Sequence, residues 1–133
     1  MTIALKGTVG LIALLMGILG LRWMFAPAGI ATEFGLEVAG TLGLNTARGD
    51  LGGMFIAASA MCVLWLRSGD GRWLQAVAIL IGCIAVGRLV GIVLDGFAIP
   101  SLAPMLLEFA IVAVLLRAAR GAAQQAASAG VGS

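Results

Sequence analysis

Four long apolar stretches occupy most of this 133-residue sequence and constrain what the chain can fold into. A helix needs about 20 apolar residues to cross a hydrocarbon core of roughly 30 Å. The stretches lack the two-residue alternation of strands, and in lipid only helices or closed barrels satisfy the backbone hydrogen bonds. We therefore predict an all-α polytopic membrane protein, an antiparallel bundle of four transmembrane helices. The predicted spans are about 7–26, 47–66, 73–95 and 103–120.

The composition excludes several classes of function. Hydrophobic residues make up 62% of the chain and charged residues 11%, which is unlike a soluble or a disordered domain. The sequence has no histidine, which excludes His-ligated metal or haem and a His general base. We therefore predict no metal, no cofactor and no catalytic residue. An enzyme that uses Glu108 or Asp95 as general acid or base ranks last among the hypotheses. The basic residues are scattered, so we expect no nucleic-acid partner.

Basic residues concentrate at one side of the predicted bundle, which we call the inner side. By the positive-inside rule this side faces the cytoplasm, so we predict a multi-pass protein with both termini cytoplasmic. Trp65 and Trp73 are expected at the inner boundary and Trp23 at the outer one, as in the aromatic belts of membrane proteins. The inner side has one acid, Asp70, and these basic residues: Lys6, Arg67, Arg72, Arg117 and Arg120.

The long first link, 27–46, is open to two interpretations. A link of this length is either a cover over a site or a passive interfacial linker. Within it, Thr32 is expected to cap one short amphipathic turn that keeps Glu33 and Glu37 on its wet side.

The two ends of the chain also bear on its organisation. The first span, followed by Ala26-Pro27-Ala28, is either retained or cleaved as a signal peptide, and cleavage would leave three spans in the same orientation. The segment 121–133 is rich in Ala, Gln, Gly and Ser, which predicts a disordered cytoplasmic tail after a transmembrane domain over 1–120.

Six charged residues fall at one depth, in the outer half of the predicted bundle, although the helices alternate in direction. Three arginines accompany three carboxylates, so the set is formally neutral, as a buried and mutually satisfied network must be. Glycines beside these charges predict close helix packing. The charged residues are Arg22, Arg48, Asp50, Arg88, Asp95 and Glu108, and the glycines are Gly49, Gly52, Gly53, Gly87 and Gly91.

Two functions are compatible with this polar network. Ionisable residues inside a membrane usually serve a function, because each costs several kcal/mol unless it is paired or lies near a helix end. In the first hypothesis the arginines bind an anionic or carbonyl group of a lipid, a quinone-like or another amphipathic molecule, and the carboxylates hold them in place. In the second, the charges only join the helices of an accessory subunit, within a larger membrane complex or a homo-oligomer.

One combination of motifs resembles a known family. The string ARGDLGGMF at 47–55, then GRLVGIVLDG at 87–96, then Glu108 in the last span resembles domain-of-unknown-function family 4345, from about Leu5 to Leu116. The layout is more distantly similar to DoxX-like membrane proteins. The resemblance implies a small four-helix protein of the bacterial inner membrane, and it implies no activity and no catalytic role for any residue.

Overall fold

The computed structural model describes residues 3–130, within which helices are joined by short connections and no strand occurs. Four helical segments are long and apolar enough to cross a membrane, which confirms the predicted all-α fold. The second of these segments, Gly40–Ser68, is one continuous helical run. It consists of a short α-helix, a π-helical segment and a longer α-helix. The elements are α1 (Ile3–Phe25), α2 (Pro27–Glu33), α3 (Gly40–Thr46), a π-helical segment (Ala47–Gly52), α4 (Gly53–Ser68), α5 (Arg72–Asp95), a 3-10 turn (Ile99–Ser101) and α6 (Leu102–Gly130).

The four spans form a ring in which each contacts two antiparallel neighbours. The most extensive contacts join α1 to α4 and α5 to α6, whereas the α4–α5 and α1–α6 contacts are smaller. The inner end of this ring contains the start of α1, the turn between α4 and α5, and the later part of α6. The outer end contains the link 27–46 and the connection between α5 and α6.

Small residues bring α1 and α4 into close contact. A Cβ on Gly20 would lie 2.8 Å from the backbone nitrogen of Ile56, and one on Gly52 would lie 3.2 Å from that of Met24. One turn further along, the Ser59 hydroxyl donates a 2.7 Å hydrogen bond to the Ala13 carbonyl. Helices in lipid gain little from hydrophobic burial against one another, so close backbone approach and such hydrogen bonds hold them together.

The main core lies toward the inner end, where all four spans contribute. It includes the fully buried Trp65 of α4, Leu74 of α5 and Leu115 of α6. In α5 the outermost buried residue is Ala85, and in α6 it is Ile111. Between them, no residue from 86 to 110 is buried. The outer parts of α5 and α6 therefore contact each other without being enclosed by α1 and α4.

The first part of the link 27–46 folds onto the outer end of α1, and we call its helix, α2, the outer cap. Ile30 and Ala31 of α2 are buried in a second cluster with Trp23, at the end of α1, and with Ala47. The rings of Trp23 and Phe34 lie 5.6 Å apart. Helix α2 thus packs over the end of α1 and the start of the π-helical segment.

Thr32 does not begin a helical turn as expected. Helix α2 begins at Pro27, because proline suits the first helical position, where its missing N–H is not needed. Thr32 lies near the end of α2 and donates to the Gly29 carbonyl at 2.9 Å.

The tryptophans also differ from the expected belt. Trp23 and Trp65 are each 1% exposed, so their rings pack inside the bundle instead of facing the lipid–water interface. Trp73 is 37% exposed at the start of α5. Helix ends can be located from sequence, but the side of the helix that faces inward cannot when almost every residue is apolar.

The segment expected to form a disordered tail is helical as far as the structure describes it. Helix α6 continues through Gly130, and residues 131–133 lie outside the described part. Alanine and glutamine are good helix formers, and lengthening an existing helix avoids the cost of nucleation. The prediction of disorder is therefore corrected for 121–130.

We expect Gly20→Ala to lower the free energy of unfolding by about 1–3 kcal/mol, because the added methyl group overpacks the α1–α4 contact. The matched control is Gly53→Ala, where a Cβ meets no atom within 4 Å. Thermal unfolding in a mild detergent measures both variants. Equal losses in the two variants would contradict the tight α1–α4 contact.

Candidate functional site

The six charged residues predicted to form one network do not do so among residues 3–130. Two of them form an ion pair with each other, two contact groups outside the predicted set, and two are exposed. The expectation of one mutually satisfied network is therefore corrected to separate contacts. The six are Arg22, Arg48, Asp50, Arg88, Asp95 and Glu108.

Arg22 binds Glu33 of the outer cap. Its Nη1 donates to Oε2 at 3.1 Å, and its Nη2 pairs with Oε1. Proline has no N–H to continue α1, so the chain turns at Pro27 and α2 brings Glu33 back to the last turn of α1. The hydrogen bonds and the charge of Arg22 hold the pKa of Glu33 below its ordinary value. From the sequence, Glu33 is expected to face water on the first link, with no partner. Pro27 is the residue in the sequence that indicates the turn bringing Glu33 back to Arg22.

Arg48 binds the end of α1. Its Nε donates to the Met24 carbonyl at 3.0 Å. Met24 lies in the last turn of α1, where carbonyls lack the amide four residues later, and a cation there also interacts favourably with the helix dipole. The contact is short because Gly52 lets the π-helical segment approach the backbone of α1. Arg48 thus serves a structural purpose at this helix end.

Arg88 and Glu108 form the one ion pair within the predicted set. The Arg88 Nε donates to Glu108 Oε1 at 2.8 Å and joins α5 to α6. The Glu108 side chain is 13% exposed and the Arg88 side chain 29% exposed. Glu108 Oε2 is buried without a hydrogen-bond partner, and the other Arg88 nitrogens donate to nothing among residues 3–130. Since a guanidinium has five N–H donors, this pair leaves most of its polar capacity unused.

Asp50 and Asp95 are exposed and make no ion pair within the described part of the chain. Asp95 ends α5, and Asp50 lies in the π-helical segment. The position of Asp95 at the end of a span lets its carboxylate reach water.

The glycines differ in how closely they pack. Gly52 lies against α1, as predicted. Gly20 of α1, on the other side of that contact, was not predicted, because only glycines of the second and third spans were considered. At the remaining four a Cβ would meet no atom of a neighbouring helix within 4 Å, so the expectation of close packing is corrected there: Gly49, Gly53, Gly87 and Gly91.

Comparisons with known proteins return no family model, no curated protein and no solved structure that matches this chain. The fold defines a polytopic α-helical membrane protein with four candidate spans. The chemistry of its site follows from the contacts described above.

We expect acid to loosen the outer cap through Glu33. A carboxyl whose folded-state pKa is lowered contributes stability above its unfolded pKa and loses it as the pH falls through the folded value. The wild-type cap should therefore open only as the pH falls below the ordinary value of 4.5. Glu33→Gln should abolish this step. Trp23 fluorescence, in a Trp65→Phe, Trp73→Phe background, measures the opening.

The control for this experiment is Glu37→Gln. It removes the same charge from the same link, but Glu37 makes no ion pair among residues 3–130. A step that disappears equally in both variants would contradict a specific Arg22–Glu33 contact.

Proposed function

We propose that this protein binds an amphipathic small molecule, such as a lipid, at the Arg88–Glu108 pair in the outer half of the membrane. The observation that carries the proposal is the unused polar capacity of this pair. An arginine inside a span costs several kcal/mol unless its donors are satisfied. One hydrogen bond to Glu108 satisfies only Nε, so the other two nitrogens of Arg88 suit an acceptor supplied by a ligand.

The geometry supports a particular ligand chemistry. The planar guanidinium of Arg88 matches carboxylate, phosphate or carbonyl oxygens, and it can bind two of them at once. Glu108 holds Nε and thereby fixes the plane of the guanidinium, so the free edge is formed by Nη1 and Nη2. Glu108 therefore acts as a positioning residue, and Arg88 as the group that contacts the ligand.

The surroundings of the pair are suited to an apolar ligand body. No residue from 86 to 110 is buried, and partly exposed apolar side chains such as Leu89, Val90 and Leu106 lie near the pair in sequence. An acyl or isoprenoid chain can lie along such a surface while its polar end reaches Arg88. The inner ends of the same helices are closed by the core around Leu74 and Leu115.

The proposal includes a location and an orientation. The excess of arginine and lysine at the inner side supports cytoplasmic termini, by the positive-inside rule. The strings at 47–55 and 87–96, with Glu108, support membership of domain-of-unknown-function family 4345 and thus the bacterial inner membrane. Arg88 then lies toward the outer leaflet.

A second candidate function is that of an accessory subunit in a larger membrane complex or a homo-oligomer. The observation in its favour is the open surface at Gly87, where a Cβ would meet no atom within 4 Å. Another membrane helix could approach α5 closely there. In this hypothesis the Arg88–Glu108 pair only holds α5 to α6.

We expect Arg88→Leu and the milder Arg88→Lys to reduce the amphipathic molecule that co-purifies in mild detergent by about tenfold or more. The reason is the loss of a charge-assisted bidentate contact, worth about 1.5–3 kcal/mol. Mass spectrometry of the extracted lipids measures the retained molecule. Arg88→Lys keeps the charge but not the planar fork, so it separates loss of binding from loss of folding.

The matched control is Arg22→Gln, which removes an outer arginine that pairs with a different carboxylate. Its retained lipid should equal that of the wild type. A folded Arg88→Lys protein with an unchanged lipid profile would contradict the proposal. A stoichiometric protein partner, with no retained lipid in the wild type, would support the accessory subunit instead.

A further inference from the structure

A groove of about 650 Å³ opens toward the inner end of the bundle, and neither Arg88 nor Glu108 lines it. One side of it is Leu5, near the start of α1, and the other side is the later part of α6. The α6 side chains that line it include Ala113, Leu116, Arg117 and Arg120, followed by Gln124.

The lining residues form one face of α6 that changes in polarity along its length. Their spacing of three and four residues places 113, 116, 117, 120, 121 and 124 on one side of the helix. From Ala113 to Gln124 this face rises about 16 Å, at about 1.5 Å per residue. It is apolar at first, cationic in the middle and amide-bearing at the end. This is the order of chemistry across a lipid–water boundary.

The two arginines of this face are available for a ligand. Arg117 and Arg120 are exposed, and neither forms an ion pair or a hydrogen bond within residues 3–130. By contrast, Arg72 at the same end is held by Asp70 through several hydrogen bonds. Residues three apart on a helix have Cβ atoms about 5–6 Å apart, so two guanidinium groups can bind one phosphate.

We propose that this groove binds an acidic phospholipid, with its phosphate between Arg117 and Arg120 and an acyl chain along Leu5 and Leu116. Basic residues near the inner end of a span, on the positively charged side, attract anionic headgroups. The apolar part of the groove favours a lipid over a free anion, because only a lipid has an acyl chain that can contact this surface. This site is separate from the one at Arg88, and it does not depend on the function proposed there.

Gly121 provides a variant that blocks the groove without altering its charge. It lines the groove, and a Cβ placed on it would meet no atom within 4 Å. Gly121→Trp would therefore fill the space that the lipid needs, whereas Gly121→Ala would leave most of it open. Because both changes occur in open space, the helix bundle should fold in either case.

The test is a binding titration of the full chain in a neutral detergent, followed by native mass spectrometry. The probes are dioctanoyl phosphatidylglycerol, dioctanoyl phosphatidylcholine and inorganic phosphate. We expect phosphatidylglycerol to bind most tightly. Arg117→Gln or Arg120→Gln should weaken it about fivefold each, and the double variant about 25-fold, which corresponds to about 1 kcal/mol for each arginine. Gly121→Trp should abolish binding and Gly121→Ala should retain it.

The matched charge control is Arg67→Gln, which removes an exposed inner arginine that does not line this groove. It should leave the affinity for phosphatidylglycerol unchanged. An equal loss in Arg67→Gln and in the double variant would overturn the proposal, because it would show a general effect of charge. Equal binding of phosphatidylcholine, or of inorganic phosphate, would also overturn it. The same titration in the Arg88→Lys background removes lipid held at the outer site, so a loss that persists there in the Arg117→Gln and Arg120→Gln variants belongs to the inner groove, and a loss that disappears there would overturn the proposal.

Discussion

The close contact of α1 with the second span is the constraint on which the outer part of the structure depends. Gly20 and Gly52 let the two backbones approach until a single Cβ would clash. This approach brings the π-helical segment to the end of α1, where Arg48 reaches the Met24 carbonyl. It also places Ala47 against Trp23 and so provides the surface on which the outer cap packs. A loss of this contact would release several elements at once.

Helices α5 and α6 are held together differently, by the core in their inner half and by an ion pair in their outer half. Their inner half shares the core around Leu74 and Leu115, but their outer half buries no residue from 86 to 110. There the Arg88–Glu108 ion pair bridges the two helices. An ion pair fixes orientation more than it adds stability, because desolvation offsets much of its attraction. The outer half of α5 and α6 is therefore not enclosed by α1 and α4.

The sequence predicted the spans and the fold class, because the length and apolarity of a span follow directly from the thickness of the bilayer. It also placed Arg88 and Glu108 at one depth, since depth follows from counting residues along antiparallel helices. It did not reveal which side of each helix faces inward. In a uniformly apolar helix no periodic pattern marks the inward side. The sequence therefore did not show that Gly52 packs against α1 and Gly53 does not, or that Trp65 is buried instead of facing the lipid. The partner of Arg22 required the turn at Pro27, which is a tertiary feature.

The arginines of this protein differ in how many of their donors the chain itself satisfies and in what they contact: Arg48 and Arg88 each donate through Nε alone, Arg48 to a backbone carbonyl and Arg88 to a carboxylate. Arg22 and Arg72 each bind a carboxylate through more than one nitrogen, which is consistent with a purely structural purpose. Arg88 is held by a single nitrogen, and its surroundings are apolar and open. In lipid, an unsatisfied donor is costly, and this cost is why we propose that the remaining donors of Arg88 bind an acceptor from a ligand. That deficit, more than the number of charges, is the physical argument for a bound molecule.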